Sequence, residues 1–170
     1  MSLKDVARSP DISQNIRMIE LDRIDRAILR TLQADGRLSN VDLAEKVGLS
    51  PSACLRRVRM LEESGLIAGY VMLLNAPMVG FPGVAFVQIT LDQQNRQALD
   101  RFEQAVLELP EVLSCYLLAG QADYLLHIAY QDGPDLERIH AEALTHLPGV
   151  VRVQSTLTLR TVKNSVTLPL

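Results

Sequence analysis

Tryptophan is absent from this chain, and aromatic residues make up only 4% of it. Its core is therefore expected from aliphatic side chains, and 48% of the 170 residues are hydrophobic. That length suits one ordinary domain or two small ones. Cysteine is scarce: Cys54 and Cys115 sit in separate periodic segments, with no close metal-type spacing. They read as small buried hydrophobes in a reducing cytoplasm. No run of 18 uninterrupted apolar residues occurs, so no membrane span is expected. The N-terminus lacks the apolar core of a secretory signal. Histidine is limited to His127, His140 and His146. The last two stand six apart on one expected helix, so they do not share a face as i, i+4 ligands would. No glycine-rich phosphate loop, nucleophile elbow or cysteine pair is present. An enzyme is therefore not expected, and no catalytic residue, metal ligand or cofactor is assigned.

Charge is small overall, at −3, but unevenly placed. Residues 1–74 hold 11 basic and 10 acidic side chains, and residues 75–170 hold 6 and 10. The first part is thus slightly basic and the second acidic. That asymmetry fits a chain in which one face meets nucleic acid and the other half does different work.

Residues 1–20 are weakly patterned and broken at Ser9-Pro10-Asp11. They read as a loose arm, with room for a short helical turn around Ile12–Ile19. A first helix opens at Asp22, with Asp25 completing a box-like cap and Ile24, Ala27, Ile28 and Leu32 on its apolar face. Asp35-Gly36 ends it. A second, short helix is capped by Ser39 and stopped by Gly48, with Leu43, Ala44 and Val47 inward.

Only Gly48 and Leu49 separate that helix from a third, which has both ends marked. Ser50 caps it, Pro51 suits its first position, and Gly65 stops it. Leu55, Val58 and Leu61 recur on its inner face, flanked by Cys54 and Glu62. Ser52, Ala53, Arg56, Arg59 and Met60 lie opposite, with Arg57 at the edge. Small residues near the helix start and arginines beyond them suit a helix in a major groove. Alone, such a helix is more readily a solvated face. The tight glycine-containing turn before it raises the reading to a helix-turn-helix. The β-rich stretch Leu66–Leu74 then makes it a winged one.

The breaker cluster Gly80-Phe81-Pro82-Gly83 marks a boundary. The expected division is an arm at 1–20, a DNA-binding domain at 21–74, a hinge at 75–83 and a second domain at 84–170. The second domain repeats itself. Strand Val84–Leu91, helix Asn95–Leu109 and strand Val112–Ala119 are followed by strand Tyr124–Tyr130, helix Pro134–Leu147 and strand Val150–Thr161. This βαββαβ duplication is the ferredoxin-like plan, with both helices on one side of an antiparallel sheet. The fold class is therefore α+β. Phe86, Tyr116, Leu118, Tyr124 and Leu126 are expected on the uncovered sheet face, which suits a two-fold dimer. Such a dimer presents two reading helices to a pseudo-palindromic site, with half-sites roughly 34 Å apart or a multiple.

Between the two copies lies Ala119-Gly120-Gln121-Ala122-Asp123-Tyr124. Gly120 can take positive φ and bare backbone N–H groups, and Asp123 supplies a carboxylate. Together they offer partners for both ends of a free amino acid. A plain hairpin turn accounts for the same residues, and on the residues alone it is the stronger reading.

From Leu21 onward the chain resembles the Lrp/AsnC family of leucine-responsive, feast/famine regulators. The resemblance is carried by Leu21-Asp22-Arg23-Ile24-Asp25, Asp35-Gly36-Arg37-Leu38-Ser39-Asn40 and Val47-Gly48-Leu49-Ser50-Pro51. It continues through Arg57-Val58-Arg59-Met60-Leu61-Glu62, Gly65-Leu66-Ile67-Ala68-Gly69-Tyr70, Gly120 with Asp123-Tyr124-Leu125-Leu126, and Leu147-Pro148-Gly149-Val150. It implies a winged helix-turn-helix, a hinge and a ferredoxin-like effector domain. It also implies homodimers assembling to tetramers or octamers on double-stranded DNA. By position it assigns Ser50, Ser52, Arg56, Arg57 and Arg59 to DNA, and Ser39 and Asn40 to phosphate. It assigns Leu118, Gly120, Asp123, Tyr124 and Ser155 to an amino-acid effector, leucine or another, held partly by a neighbouring subunit. Ser155, followed by Thr156, stands where the family usually has Thr. An architectural DNA-binding protein without effector response shares all but the last of these features.

Overall fold

The computed structural model describes residues 19–170. The arm expected at 1–20, with its helical turn, lies outside the described residues except for Ile19 and Glu20, which are exposed and irregular. The chain forms two compact units. One spans the residues up to Met72 together with Asn164–Leu170, and the other spans Leu73–Lys163.

Among the described residues the first unit holds three helices: α1 (Arg23–Ala34), α2 (Asn40–Val47) and α3 (Pro51–Glu63). Each start is capped as its sequence dictates. The Asp22 carboxylate accepts from the Ile24 and Asp25 backbone N–H groups at 2.8 and 2.7 Å, and Asp25 reaches back to complete the box. Ser39 and Ser50 cap α2 and α3. Gly48 ends α2 at φ 71°, a left-handed conformation that a side chain would strain. The core is Ile28, Leu29, Leu43, Ala44, Cys54 and Leu61. Along α3 the buried face is rotated slightly from expectation. Cys54 is fully buried, whereas Leu55 is 38% exposed. Cys54, Val58 and Leu61 follow i, i+4, i+7, which keeps one stripe facing the other helices.

The β-rich stretch Leu66–Leu74, read from the sequence as an extended wing, carries no ladder among the described residues. A strand needs a partner for its N–H and C=O groups, and none lies beside it here. Tyr70 pins the segment instead: its hydroxyl donates to Glu62 Oε1 at 3.0 Å, and its ring packs close to Gly36.

The second unit runs β1 (Gly83–Leu91), α4 (Arg96–Val106), β2 (Val112–Leu117), β3 (Tyr124–Tyr130), α5 (Gly133–Arg138) and β4 (Val150–Leu157). A π turn over Ile139–Ala143 and a 3-10 turn over Leu144–His146 extend α5. The sheet order is β2-β3-β1-β4, with every pair antiparallel. This is the expected ferredoxin-like plan. Ala85, Val87, Ile89 and Leu91 face Phe102 and Val106 of α4 and Ile139, Leu144 and Leu147 of the second helical segment. Gly83 starts β1 because the Tyr130 ring fills the space a Cβ would need.

Two expected ends move inward for a physical reason. β4 stops at Leu157 rather than Thr161 because its partner β1 begins at Gly83, one residue beyond the last bond between them, from the Thr158 N–H to Val84 O. β2 stops at Leu117, after which Leu118 N–H donates to Asp123 O and closes the hairpin. The open sheet face also differs. Phe86, Tyr116 and Leu118 are exposed as expected. Tyr124 and Leu126 are not. They pair with Ile89 and Val87, so both point to the helix side and are buried. A shift of one residue in phase moves a whole strand to the other face. His127 takes the open position and stacks on Phe86 with ring centroids 5.1 Å apart.

Candidate nucleic-acid interface and effector loop

The three-helix unit is fixed by short polar contacts. Asn40 Nδ2, at the start of α2, donates to the Pro51 carbonyl at 2.8 Å and joins the starts of α2 and α3. Its Oδ1 is buried and meets no hydrogen-bond partner among the described residues. Ser39 Oγ donates to Asp42 Oδ2 at 2.6 Å and accepts from the Asp42 N–H at 3.2 Å. Ser50 Oγ accepts from the Ala53 N–H and lies 3.3 Å from Ser52 Oγ. Ser39, Ser50 and Ser52 are exposed, so each hydroxyl stands at a helix start, where N–H groups also point outward.

Arg56 and Arg59 are exposed on α3, and neither pairs with a carboxylate among the described residues. Arg56 Nη1 rests 3.7 Å from Met60 Sδ, one turn on. Arg57 is placed differently from Arg56 and Arg59. Its Nη1 donates to Asp22 Oδ2 at 2.8 Å and Asp25 Oδ1 at 2.7 Å, and its side chain is only 25% exposed. Asp25 and Asp22 raise its pKa further. The Asp25 backbone N–H, with Arg57 behind it, holds the Asp22 carboxyl below its ordinary range. Arg57 therefore ties α3 to the start of α1 and offers no free charge. Its edge position on the helix gave no sign of the acids on α1 that claim it.

The second expected site is the β2–β3 hairpin. Asp123 is buried, with both carboxylate oxygens engaged. Oδ2 accepts from the Leu91 N–H and Oδ1 from Gln94 Nε2, each at 2.7 Å. Its own N–H donates to Ile89 O. Tyr124 packs on Phe102 at 4.4 Å between ring centroids, and its hydroxyl donates to Glu103 Oε1 at 2.9 Å. Burial first, and then Glu103, raises its pKa. Burial and Glu103 also push the neighbouring Cys115 thiol up to about 12. Gln94 and Glu103 were not expected here. They meet the hairpin from 29 and 21 residues away, which no local pattern reveals.

Gly120 does not take the expected positive φ, which is found at Gly48, Gly65, Gly80 and Gly149. Nothing lies within 4 Å of where its Cβ would be, so the loop backbone there is open. The hairpin thus presents Leu118 and Gly120 outward, with Asp123 and Tyr124 anchoring it from behind. Ser155 is not beside them. It pairs with Val87 on β4, at the sheet edge away from β2. Its neighbour Thr156 pairs with Phe86, on the open face.

Residues 21–68 match the profile of a winged helix-turn-helix DNA-binding domain, and residues 84–168 that of the Lrp/AsnC ligand binding domain. The leucine-responsive regulatory protein of Escherichia coli K12 is 43% identical over 146 residues, covering 86% of this chain and 89% of that protein. The chain belongs to the Lrp/AsnC family. The leucine-responsive regulatory protein of Klebsiella pneumoniae is equally similar, at 43% identity over the same coverage. Among solved structures, a Neisseria meningitidis transcriptional regulator in complex with L-Met superposes with a TM-score of 0.84 at 38% identity, covering 88% of this chain and 97% of that one. An AsnC family transcriptional regulator from Agrobacterium tumefaciens gives 0.83 at 36% identity, with the same coverage. As an Lrp/AsnC member the chain is a DNA-binding transcriptional regulator with a ligand-binding domain, and not an enzyme. Among the described residues, no helix is long and apolar enough to cross a membrane.

Proposed function

We propose that this regulator binds specific pseudo-palindromic DNA as a cytoplasmic homodimer, itself able to assemble to tetramers or octamers, and that a small amino acid tunes that binding. The observation that carries the DNA half is the pair of unneutralised arginines, Arg56 and Arg59, on a helix whose start is left open by Ser50 and Ser52. Arginine there can reach guanine edges or phosphates. Ser39 and Asn40 stand at the start of α2, where a phosphate would meet N–H groups. Arg57 sets the helix angle.

The dimer is supported by the open sheet face, where Phe86 and Tyr116 stay exposed on strands that otherwise build a packed core and Leu118 is exposed just past the end of β2. The effector is supported by the match to a ligand-binding domain and by the L-Met bound to the Neisseria relative. Leucine, methionine or another amino acid is the expected class. Leu118 and the open Gly120 backbone are its nearest contacts. Asp123 and Tyr124 hold the loop in shape for it. Ser155, on the far edge strand, reaches an effector only if a second copy brings it there.

Thermal unfolding against the twenty amino acids tests the effector reading. A ligand at 100 times its Kd raises stability by about 2.7 kcal/mol, which is visible as a shift in midpoint. One amino acid or one chemical group of them is expected to give that shift. No shift with any of the twenty points to an architectural, effector-blind protein.

A further inference from the structure

The last residues of the chain do not stay with the domain that precedes them. Asn164–Leu170 forms part of the compact unit of the reading head, although residues 73–163 form the other unit. Three hydrogen bonds place it on α1. Gln33 treats Leu168 as a strand would: Oε1 accepts from the Leu168 N–H at 2.6 Å, and Nε2 donates to the Leu168 carbonyl at 3.3 Å. Arg30 Nε donates to the Leu170 carbonyl at 2.7 Å. The Leu170 side chain packs against the head's core cluster. Val166 and Leu168 keep their side chains exposed, so the segment is held by its backbone and by Leu170. A primary amide that reads both the N–H and the C=O of one residue fixes the register of the segment on the helix.

We infer that the α1 face carrying Arg30 and Gln33 is a docking surface for this tail, and that the tail is a strap limiting how the reading head can turn. The chain leaves the head after Met72 and returns to it at Asn164, so a docked tail gives the head two attachments to the ligand-binding domain. A head on one flexible connection samples many orientations. A second attachment removes most of them before DNA is met, and pre-organisation of this kind raises affinity without any new DNA contact. In the dimeric reading above, on which this consequence rests, the strap sets which half-site spacing the two heads accept. Base contacts at each half-site are left to α3.

The test compares the full chain, a chain ended after Lys163, and Gln33→Ala. The probe is a duplex bearing two copies of a half-site selected in vitro on this protein. Their separation is stepped one base pair at a time through a helical turn. The full chain is expected to vary at least tenfold in affinity across the series. Both variants are expected to flatten to within about threefold, while a single half-site binds all three chains alike. In parallel, amide exchange at residues 164–170 should be at least tenfold slower in the full chain than in Gln33→Ala. Variants that keep the spacing preference, or a tail that exchanges like a free peptide in the full chain, would overturn the strap. A full chain indifferent to spacing overturns the two-headed reading instead. Docking is then decided by the exchange measurement alone, where an unprotected tail sinks it.

Discussion

Arg56 and Arg57 are neighbours in the chain and face different partners in the fold. Arg57 is claimed by Asp22 and Asp25, while Arg56 pairs with no carboxylate among the described residues. Two outcomes follow that binding assays can separate. Arg56→Ala and Arg59→Ala should each weaken specific DNA binding by about 1–3 kcal/mol, with the melting profile unchanged. Where the lost contact is to phosphate, the salt slope of binding should fall by about one. Arg57→Ala should lower the unfolding midpoint and leave the salt slope as it was; a reduced slope would put Arg57 on the DNA after all. Acid sensitivity belongs to the same contact. The Asp22 carboxyl is held below its ordinary range in the fold, so the stability it contributes is present above about pH 3.9 and is lost as pH falls through its lowered value. Asp22→Asn should flatten that part of an acid titration followed by circular dichroism. Helical phase made the exposure of Arg56 and Arg59 on α3 legible in the sequence. The fate of Arg57 was not legible, because its partners sit 35 and 32 residues away.

At the scale of elements, the caps and stops of the head were written into the chain. Asp22, Ser39, Ser50 and Gly48 each do locally what their residue types predict. Gly48→Ala should therefore cost about 1 kcal/mol or more, read by chemical denaturation, because its left-handed backbone suits only glycine. Strand phase was harder to read. Tyr124 and Leu126 look like members of an alternating open face, and only the ladder, pairing them with Ile89 and Val87, shows them to be core. The β2–β3 hairpin has a consequence of its own. Asp123→Ala leaves the Leu91 N–H and Gln94 without their acceptor. An unsatisfied buried donor costs about 1–3 kcal/mol, so this variant should be less stable as well as effector-blind. A loss of response without a loss of stability would mean that Asp123 touches the effector directly. Leu66–Leu74 was legible as β-rich, but its ladder is missing because pairing is not a property of one segment.

For the whole molecule, the duplication and the division into two functional halves were readable from the chain. The placement of the tail was not, since Gln33 and Leu168 are 135 residues apart. Phe86→Glu on the open sheet face, where Phe86 is 40% exposed, should leave the fold intact and reduce the sedimenting mass to that of one chain. An unchanged mass would place the dimer contact elsewhere. The proposed coupling of amino-acid binding to DNA binding on one molecule is a free energy, and it is read by titrating the full chain against its selected duplex with and without each amino acid at fixed salt. One amino acid, or one chemical group of them, is expected to shift the DNA Kd by about 5–150-fold. An identical Kd across all twenty, from protein that binds the duplex normally, would contradict it.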